Sequence, residues 1–379
     1  MLRKIKIEQL YDLYTYELDF DNVDNSPMKF LTGPNGYGKS TILNMVYAVF
    51  AHDCKTLFKV PFEKFFLYFE DAEVQFVQER EYEQGDKSDL KNLKRIELHV
   101  TFKPDSGEEE QGTILPDGEC NMPNLEMYLA GNNAYYIDDK RVMRNTIDAN
   151  TEKILDIVER LNYDASLLSD KIKDHQIDFS SPVLDMGEEI SEEEYKSRVA
   201  EILSELKPLK EWGMVNEEFV PIPYLEVISS FLRKYLDDIE SKMRIHSEFV
   251  GQLSLFKALV DESVFANKTL RVDDEVGFLF YSQSKFKEPL MPEKLSSGER
   301  HLLLQLFELI FRAPKGALVL IDEPELSMHM YWQLRYSKML SRIAELRKLH
   351  FVIATHSPQI FNSMWNRSID LYKLTKKAK

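Results

Sequence analysis

Residues 31–44 read LTGPNGYGKSTILN. Gly33, then four residues, then Gly38, Lys39 and Ser40 give the spacing of a P-loop. In such a loop the glycines let backbone N–H groups turn inward around phosphate oxygens. Lys39 then reaches the β and γ phosphates, and the Ser40 hydroxyl ligates Mg²⁺. The flanks suit the motif. Residues 28–31 (MKFL) read as a buried strand entering the loop, and residues 41–50 (TILNMVYAVF) as an apolar helix leaving it. The expected nucleotide-binding set is Gly33, Pro34, Asn35, Gly36, Tyr37, Gly38, Lys39, Ser40 and Thr41, with ATP and Mg²⁺ as cofactors.

Upstream of the loop, residues 2–8 and 14–20 alternate like two strands, and 21–27 carry turn chemistry. Downstream, residues 64–82 read as paired strands and 94–102 as another. The acidic piece 104–112 reads as a solvated hairpin tip or loop, and Tyr135-Tyr136-Ile137 as a short strand. The period changes after about Thr146. Residues 151–171 carry Ile154, Leu155, Ile157, Val158 and Leu161 at helical spacing. Ser191, with Glu194 three residues on, reads as the N-cap of a helix over 192–209. Residues 224–260 give one or two more helices. Sustained heptads are absent, so the block is a stub and not a coiled-coil arm. Strand character returns over 269–280, as a hairpin around Asp273-Asp274. The expected division is an N-terminal lobe at 1–146, a helical insert at 147–266 and a C-terminal lobe at 267–379.

Three later stretches carry chemistry. Residues 295–300 read LSSGER ahead of an apolar helix. Ser296 and Gly298 sit where N–H groups at the positive helix end can bind an anion, although SSGE alone is also a sound N-cap. Residues 317–321 (ALVLI) read as a buried parallel strand ending in Asp322-Glu323-Pro324-Glu325. The C-terminal end of such a strand is where α/β sheets bind ligands. Asp322 is expected to hold Mg²⁺, and Glu323 to take a proton from the attacking water. Residues 351–354 (FVIA) form the next strand, ending at Thr355-His356-Ser357-Pro358, and His356 there is placed to hydrogen-bond the γ-phosphate. The catalytic set is Lys39, Glu323 and His356; the metal set is Ser40 and Asp322.

The totals set bounds. The chain has 379 residues, 44% of them hydrophobic, enough for one large or two modest domains. A net charge of -16 argues against coating nucleic acid by bulk electrostatics, while leaving room for a local basic groove. Cys54 and Cys120 lack metal spacing and cannot make a disulfide framework, so a cytoplasmic location is expected. No stretch reads as a membrane span or signal peptide, and no membrane partner is expected.

Taken in order, the P-loop, LSSGE, LVLIDEPE and ATHS resemble the ATPase heads of the ABC superfamily. The wide separation of Gly33 from Leu295, and the helical block between them, resemble the SMC and RecF branch more than transporters. IDEPELSMH is similar to OLD-family ATPases, with His329 where transporters carry the Asp of their D-loop. The resemblance implies an α/β, ABC-type P-loop ATPase head with a helical insert between N- and C-terminal lobes. It also implies a homo-oligomer, a head-to-tail dimer or a multiple of dimers. Each P-loop would face Ser296 and Gly298 of another copy, with ATP closing the interface and hydrolysis at Glu323 opening it. OLD-like heads without a TOPRIM domain resemble the ATPase subunits of bacterial anti-phage systems, of the kind of AriA of PARIS and PtuA of Septu. The expected partner is then a separate effector protein, a nuclease. A RecF-like DNA-repair ATPase acting on DNA is the alternative. Two departures stand. Lys140-Arg141 occupies the place of the relatives' Gln-Arg pair, so the Mg²⁺-ligating glutamine is unassigned. The stretch after His356 is too short for a TOPRIM domain, and its final KLTKKAK reads as a solvated tail.

Overall fold

Period-two burial builds the first sheet. In β1 (Leu2–Leu10) Leu2, Ile5, Ile7 and Leu10 are buried, while Lys4, Lys6 and Glu8 turn toward solvent. β2 (Tyr14–Asp19) pairs with it antiparallel. β3 (Met28–Thr32) drops the alternation: its first four residues are all buried, as in strands covered on both faces. Then follow α1 (Lys39–Phe50), α2 (Cys54–Lys59), β4 (Lys64–Phe69), β5 (Ala72–Tyr82), β6 (Leu93–Pro104), β7 (Glu110–Ile114), α3 (Pro123–Gly131) and β8 (Ala134–Ile137). The computed structural model describes residues 1–20, 26–82, 93–116, 122–138, 144–148, 151–154, 157–174, 177, 187–212, 214–215, 219–263, 268–273, 277–282, 289–290, 294–326, 328–362 and 364–377. Cys120, Lys140, Arg141 and Asp274 lie outside the described residues. The chain divides into two compact units, Met1–Arg141 with Arg312–Lys379, and Val142–Phe311.

The second unit opens on an antiparallel pair, β9 (Arg144–Asp148) and β10 (Thr151–Ile154). Residues 151–154 are thus in a strand, and α4 (Ile157–Asp174) starts only after it. Helical spacing over 151–171 overruns the true start because cross-strand pairing, invisible to a local period, claims the first residues. α5 (Glu192–Glu211) begins where expected, with Ser191 Oγ accepting from the Glu194 N–H at 3.2 Å. Residues 224–260 hold two helices, α6 (Ser229–Ile245) and α7 (Ser247–Ser263). β11 (Lys268–Asp273) and β12 (Gly277–Ser282) make the expected hairpin, joined by β13 (Pro289–Leu290). α8 (Ser297–Phe307) continues into a π turn over Glu308–Arg312. Phe256, Phe278, Phe307 and Phe311 form one aromatic cluster, with Phe307 and Phe311 at 4.9 Å and Phe256 and Phe278 at 5.5 Å. That cluster ties the hairpin and α8 to α7, so residues 268–311 pack with the helical block.

The first unit resumes with β14 (Leu318–Asp322), α9 (Met330–Arg347), β15 (His350–Ala354), α10 (Pro358–Phe361), β16 (Ser368–Asp370) and α11 (Leu371–Lys377). Among the described residues its strands form two sheets. One is antiparallel, in the order β2-β1-β4-β5-β6-β7; the other is parallel, in the order β16-β3-β15-β14-β8. One apolar core runs through both, with Ile42, Leu43, Met45 and Val46 of α1 beside Ile5, Phe65 and Val74 on one side and Leu31, Leu320 and Val352 on the other. Each such side chain, fully buried, contributes roughly 1.5–3 kcal/mol. The acidic piece is a hairpin tip between β6 and β7, as its sequence reads, with Glu110 already in β7. Two features differ from the sequence expectation. α3 had no clear period. The tail is a helix, with Leu371 fully buried and Leu374 packed on the core, because two leucines suffice to dock a short helix against β2.

Candidate nucleotide site

Three strands of the parallel sheet end in register. Leu31 of β3 lies opposite Ala354 of β15, which lies opposite Asp322 of β14. The loops that follow stay tied together: Thr355 N–H donates to Leu31 O at 3.0 Å and Glu323 N–H to Ala354 O at 2.9 Å. The P-loop, the carboxylates and His356 therefore leave the sheet at one edge, the end at which α/β sheets bind ligands.

The P-loop takes its shape from glycine. Gly33, Gly36 and Gly38 have φ of 136°, 84° and 84°. A Cβ on Gly38 would come within 3.0 Å of Leu10 Cδ2, whereas one on Gly36 would meet nothing within 4 Å. The loop is thus packed behind and open in front. Gly38 caps α1 with no side-chain hydrogen bond, so the cap residue itself satisfies none of the first N–H groups of the helix. From the side, Tyr16 donates its phenol proton to Tyr37 O at 2.9 Å, and the Tyr37 ring lies against Tyr14 and Tyr372. The Tyr11 and Thr41 hydroxyls meet at 3.1 Å.

Lys39 is only 5% exposed. Its ammonium donates to Gly33 O at 3.0 Å and Pro34 O at 3.3 Å, and lies 2.7 Å from His356 Nε2. Burial pushes its pKa down, opposed by the Glu323, Asp322 and Glu325 carboxylates. The same His356 Nε2 lies 3.4 Å from Glu323 Oε1. That nitrogen can accept from Lys39 or donate to Glu323, but not both at once. Glu323 has φ of 44°, a left-handed conformation that costs a residue with a side chain roughly 1–2 kcal/mol. The bond to Ala354 O holds it there.

Asp322, 2% exposed, ends β14. Its carboxylate acts on Lys39, so it stands near the P-loop. Ser40 follows Lys39 in the first turn of α1. A hydroxyl and a carboxylate are hard oxygen donors of the kind Mg²⁺ takes, so Ser40 and Asp322 fit that ion.

Glu325 is the residue that sequence reading passed over. It accepts from Thr355 Oγ1 at 2.8 Å, His356 N–H at 2.6 Å and Ser357 N–H at 3.1 Å. One carboxylate thereby fixes the whole loop that carries His356. The third acid of DEPE was visible, but its partners, some thirty residues on, were not.

Ser296 and Gly298 belong to the second unit. Ser296 caps α8, accepting from Glu299 N–H, while Glu299 Oε2 accepts from Ser296 N–H at 2.8 Å. Lys268 Nζ reaches Glu299 Oε1 at 2.7 Å. His329 caps α9, its Nδ1 accepting from Tyr331 N–H at 3.2 Å.

The family described as "AAA domain, putative AbiEii toxin, Type IV TA system" matches residues 137–362. The chain belongs to that family. The match spans LSSGE, the strand-end carboxylates and His356, with the P-loop upstream of it. This AAA-family chain is an α/β protein with a nucleotide-binding P-loop ATPase domain. No curated protein matches it. Solved structures that match include the Smc head domain with an extended coiled coil bound to the C-terminal domain of ScpA, from Pyrococcus furiosus. That match has 13% identity and a TM-score of 0.40, covering 97% of this chain and 92% of that one. A second is the SmcHead bound to the C-winged helix domain of ScpA, with 12% identity and a TM-score of 0.39, covering 98% and 93%. Similarity at that level carries no further argument. Among the described residues no helix is long and apolar enough to cross a membrane.

Proposed function

We propose that the chain binds ATP with Mg²⁺, hydrolyses it, and works as a nucleotide-driven oligomeric switch. Its biological role in this reading is the sensing or scaffold subunit of a bacterial anti-phage system controlling a separate effector, a nuclease. The observation that carries the reading is the convergence of Lys39, Asp322, Glu323 and His356 at one edge of the parallel sheet. Lys39 turns from the Gly33 and Pro34 carbonyls to the β and γ phosphates. The open N–H groups of the P-loop and of α1 hold the phosphate oxygens. Glu323 takes the proton of the attacking water. His356, released by Lys39, hydrogen-bonds the γ-phosphate, and Glu325 keeps it in place. Ser40 and Asp322 would hold Mg²⁺, which would supply charge neutralisation at the phosphates.

An apolar patch beside the carboxylates supports the oligomer. Leu326, Met330, Tyr331 and Leu334 are 42%, 59%, 45% and 41% exposed, and a second copy would cover them. In the head-to-tail arrangement Ser296 and Gly298 of that copy complete the site. The family description, of a putative toxin in a toxin–antitoxin system, supports a protein partner for this chain.

Mixing tests the shared site. Ser296→Arg and Lys39→Ala proteins are each expected to lack ATPase activity, and a mixture to regain part of it through one intact composite site per pair. No recovery at any ratio overturns the head-to-tail oligomer. The purified chain with ATP and Mg²⁺ is expected to leave plasmid DNA and tRNA intact. Cleavage by the isolated chain, lost in Glu323→Gln, overturns the separate effector.

A further inference from the structure

α5, α6 and α7 enclose a groove of about 630 Å³ within the second unit. Ile202, Leu209 and Met243 make an apolar floor. Glu201 and Glu205 stand on the rim. Two features of its lining cost stability. Glu201 and Glu205 are like charges one turn apart on α5, which repel. Gly251 lines the groove from inside α7, where glycine weakens a helix relative to alanine.

One occupant accounts for both. We propose that this groove receives an amphipathic helix of a partner protein, with leucine-type side chains on the floor and lysines or arginines facing Glu201 and Glu205. The absent side chain at Gly251 lets a foreign backbone approach closely, and an apolar stripe at i, i+3 and i+4 fits such a groove. Charge selects the partner. Glu240, also on the rim, is already engaged by Arg198 at 2.9 Å. Arg244 lies in the last turn of α6, where the helix dipole favours a cation. Among the described residues neither Glu201 nor Glu205 has an ion-pair partner; Glu201 accepts only from Ser197 Oγ, at 3.5 Å. The inference rests on the reading of the chain as one that controls a partner, and not on ATP hydrolysis.

The test titrates the full chain with a synthetic fluorescent helix carrying a leucine stripe flanked by lysines. The control has the same stripe flanked by glutamates. The lysine helix is expected to bind and the glutamate helix not. Gly251→Met fills the groove, and E201K/E205K reverses its rim at exposed positions. Each is expected to weaken binding by about tenfold or more while melting as a folded protein. Equal binding to the wild type and both variants would mean attraction to an acidic surface at large, and would overturn the groove. So would failure of the lysine helix to bind, or equal binding of the two helices. Lys39→Ala is expected to bind the helix as the wild type does. If ATP binding proves absent from the wild type while this result holds, the nucleotide reading fails and the groove stands.

Discussion

Two helices in this protein begin at glycine- and serine-rich turns of the sort that receive anions, and they begin differently. α1 follows the P-loop from a left-handed Gly38 with no side-chain cap. α8 follows LSS from Ser296, whose hydroxyl and N–H are both engaged by Glu299 in a closed capping box. The cap of the first start satisfies none of its N–H groups; the cap of the second accepts from one and has its own N–H engaged. An open N-terminus is stable only if something else lies over it, or if the surrounding packing outweighs the loss. At α1 the packing does so: Ile42, Leu43, Met45 and Val46 are fully buried between two sheets. At α8 the box is reinforced by Lys268 from β11. A helix start can therefore be held for a ligand or held for the fold. For Ser296 to donate to a phosphate, only its hydroxyl proton, now given to Glu299 Oε2 at 2.8 Å, would have to turn.

The sharpest way to break this contrast is to remove the cation from the open start. Lys39→Ala is expected to weaken ATP binding by about 100-fold, since a charge-assisted contact of about 3 kcal/mol is lost. Titration with a fluorescent ATP analogue reads it. Affinity unchanged from wild type would mean the open N–H groups suffice alone, or that ATP binds elsewhere.

Glu323→Gln separates holding from reacting. Turnover is expected to fall by about 100-fold or more, with ATP affinity kept, because the base is lost and the cradle is not. Single-turnover hydrolysis and equilibrium binding on the same preparation decide it. Normal turnover removes Glu323 from the role of base.

Two cap substitutions sharpen the comparison through stability. Gly38→Ala puts a Cβ at φ of 84° and 3.0 Å from Leu10 Cδ2, and is expected to cost about 1–2 kcal/mol. Ser296→Ala opens the box and is expected to cost about 1 kcal/mol. Urea midpoints measure both. A Ser296→Ala protein as stable as wild type would show that α8, like α1, does not depend on its cap.

The smallest effect is in acid. Burial would raise the Glu299 carboxyl, but the Lys268 ammonium and the Ser296 N–H and hydroxyl together hold it below its ordinary 4.5. A carboxyl depressed in the fold stabilises it above the unfolded value, and that contribution is lost as pH falls through the folded one. Stability measured downward from pH 4.5 is expected to fall more steeply in wild type than in Glu299→Gln. Parallel curves would remove Glu299 from the balance.

What the sequence by itself determined is what neighbours in the chain decide. The strand, loop and helix around Gly33–Ser40, the apolar runs of β14 and β15 with chemistry at their C-terminal ends, and the caps at Ser191 and Ser296 all rest on residues within one turn or one strand. Their periods and spacings are therefore legible. Tertiary structure alone decided what joins distant parts. Lys39 meets His356 at 2.7 Å across 317 positions of sequence. Glu325 pins the loop at 355–357. Leu371, just ahead of the tail that reads as solvated, lies 3.5 Å from where a Cβ on Gly33 would stand. Residues 151–154, helical by period, pair instead with β9. In the first three cases the deciding contact is long-range, and no local pattern encodes which of many compatible partners the packed core will bring within reach; in the last, strand pairing with a near neighbour overrides the helical period.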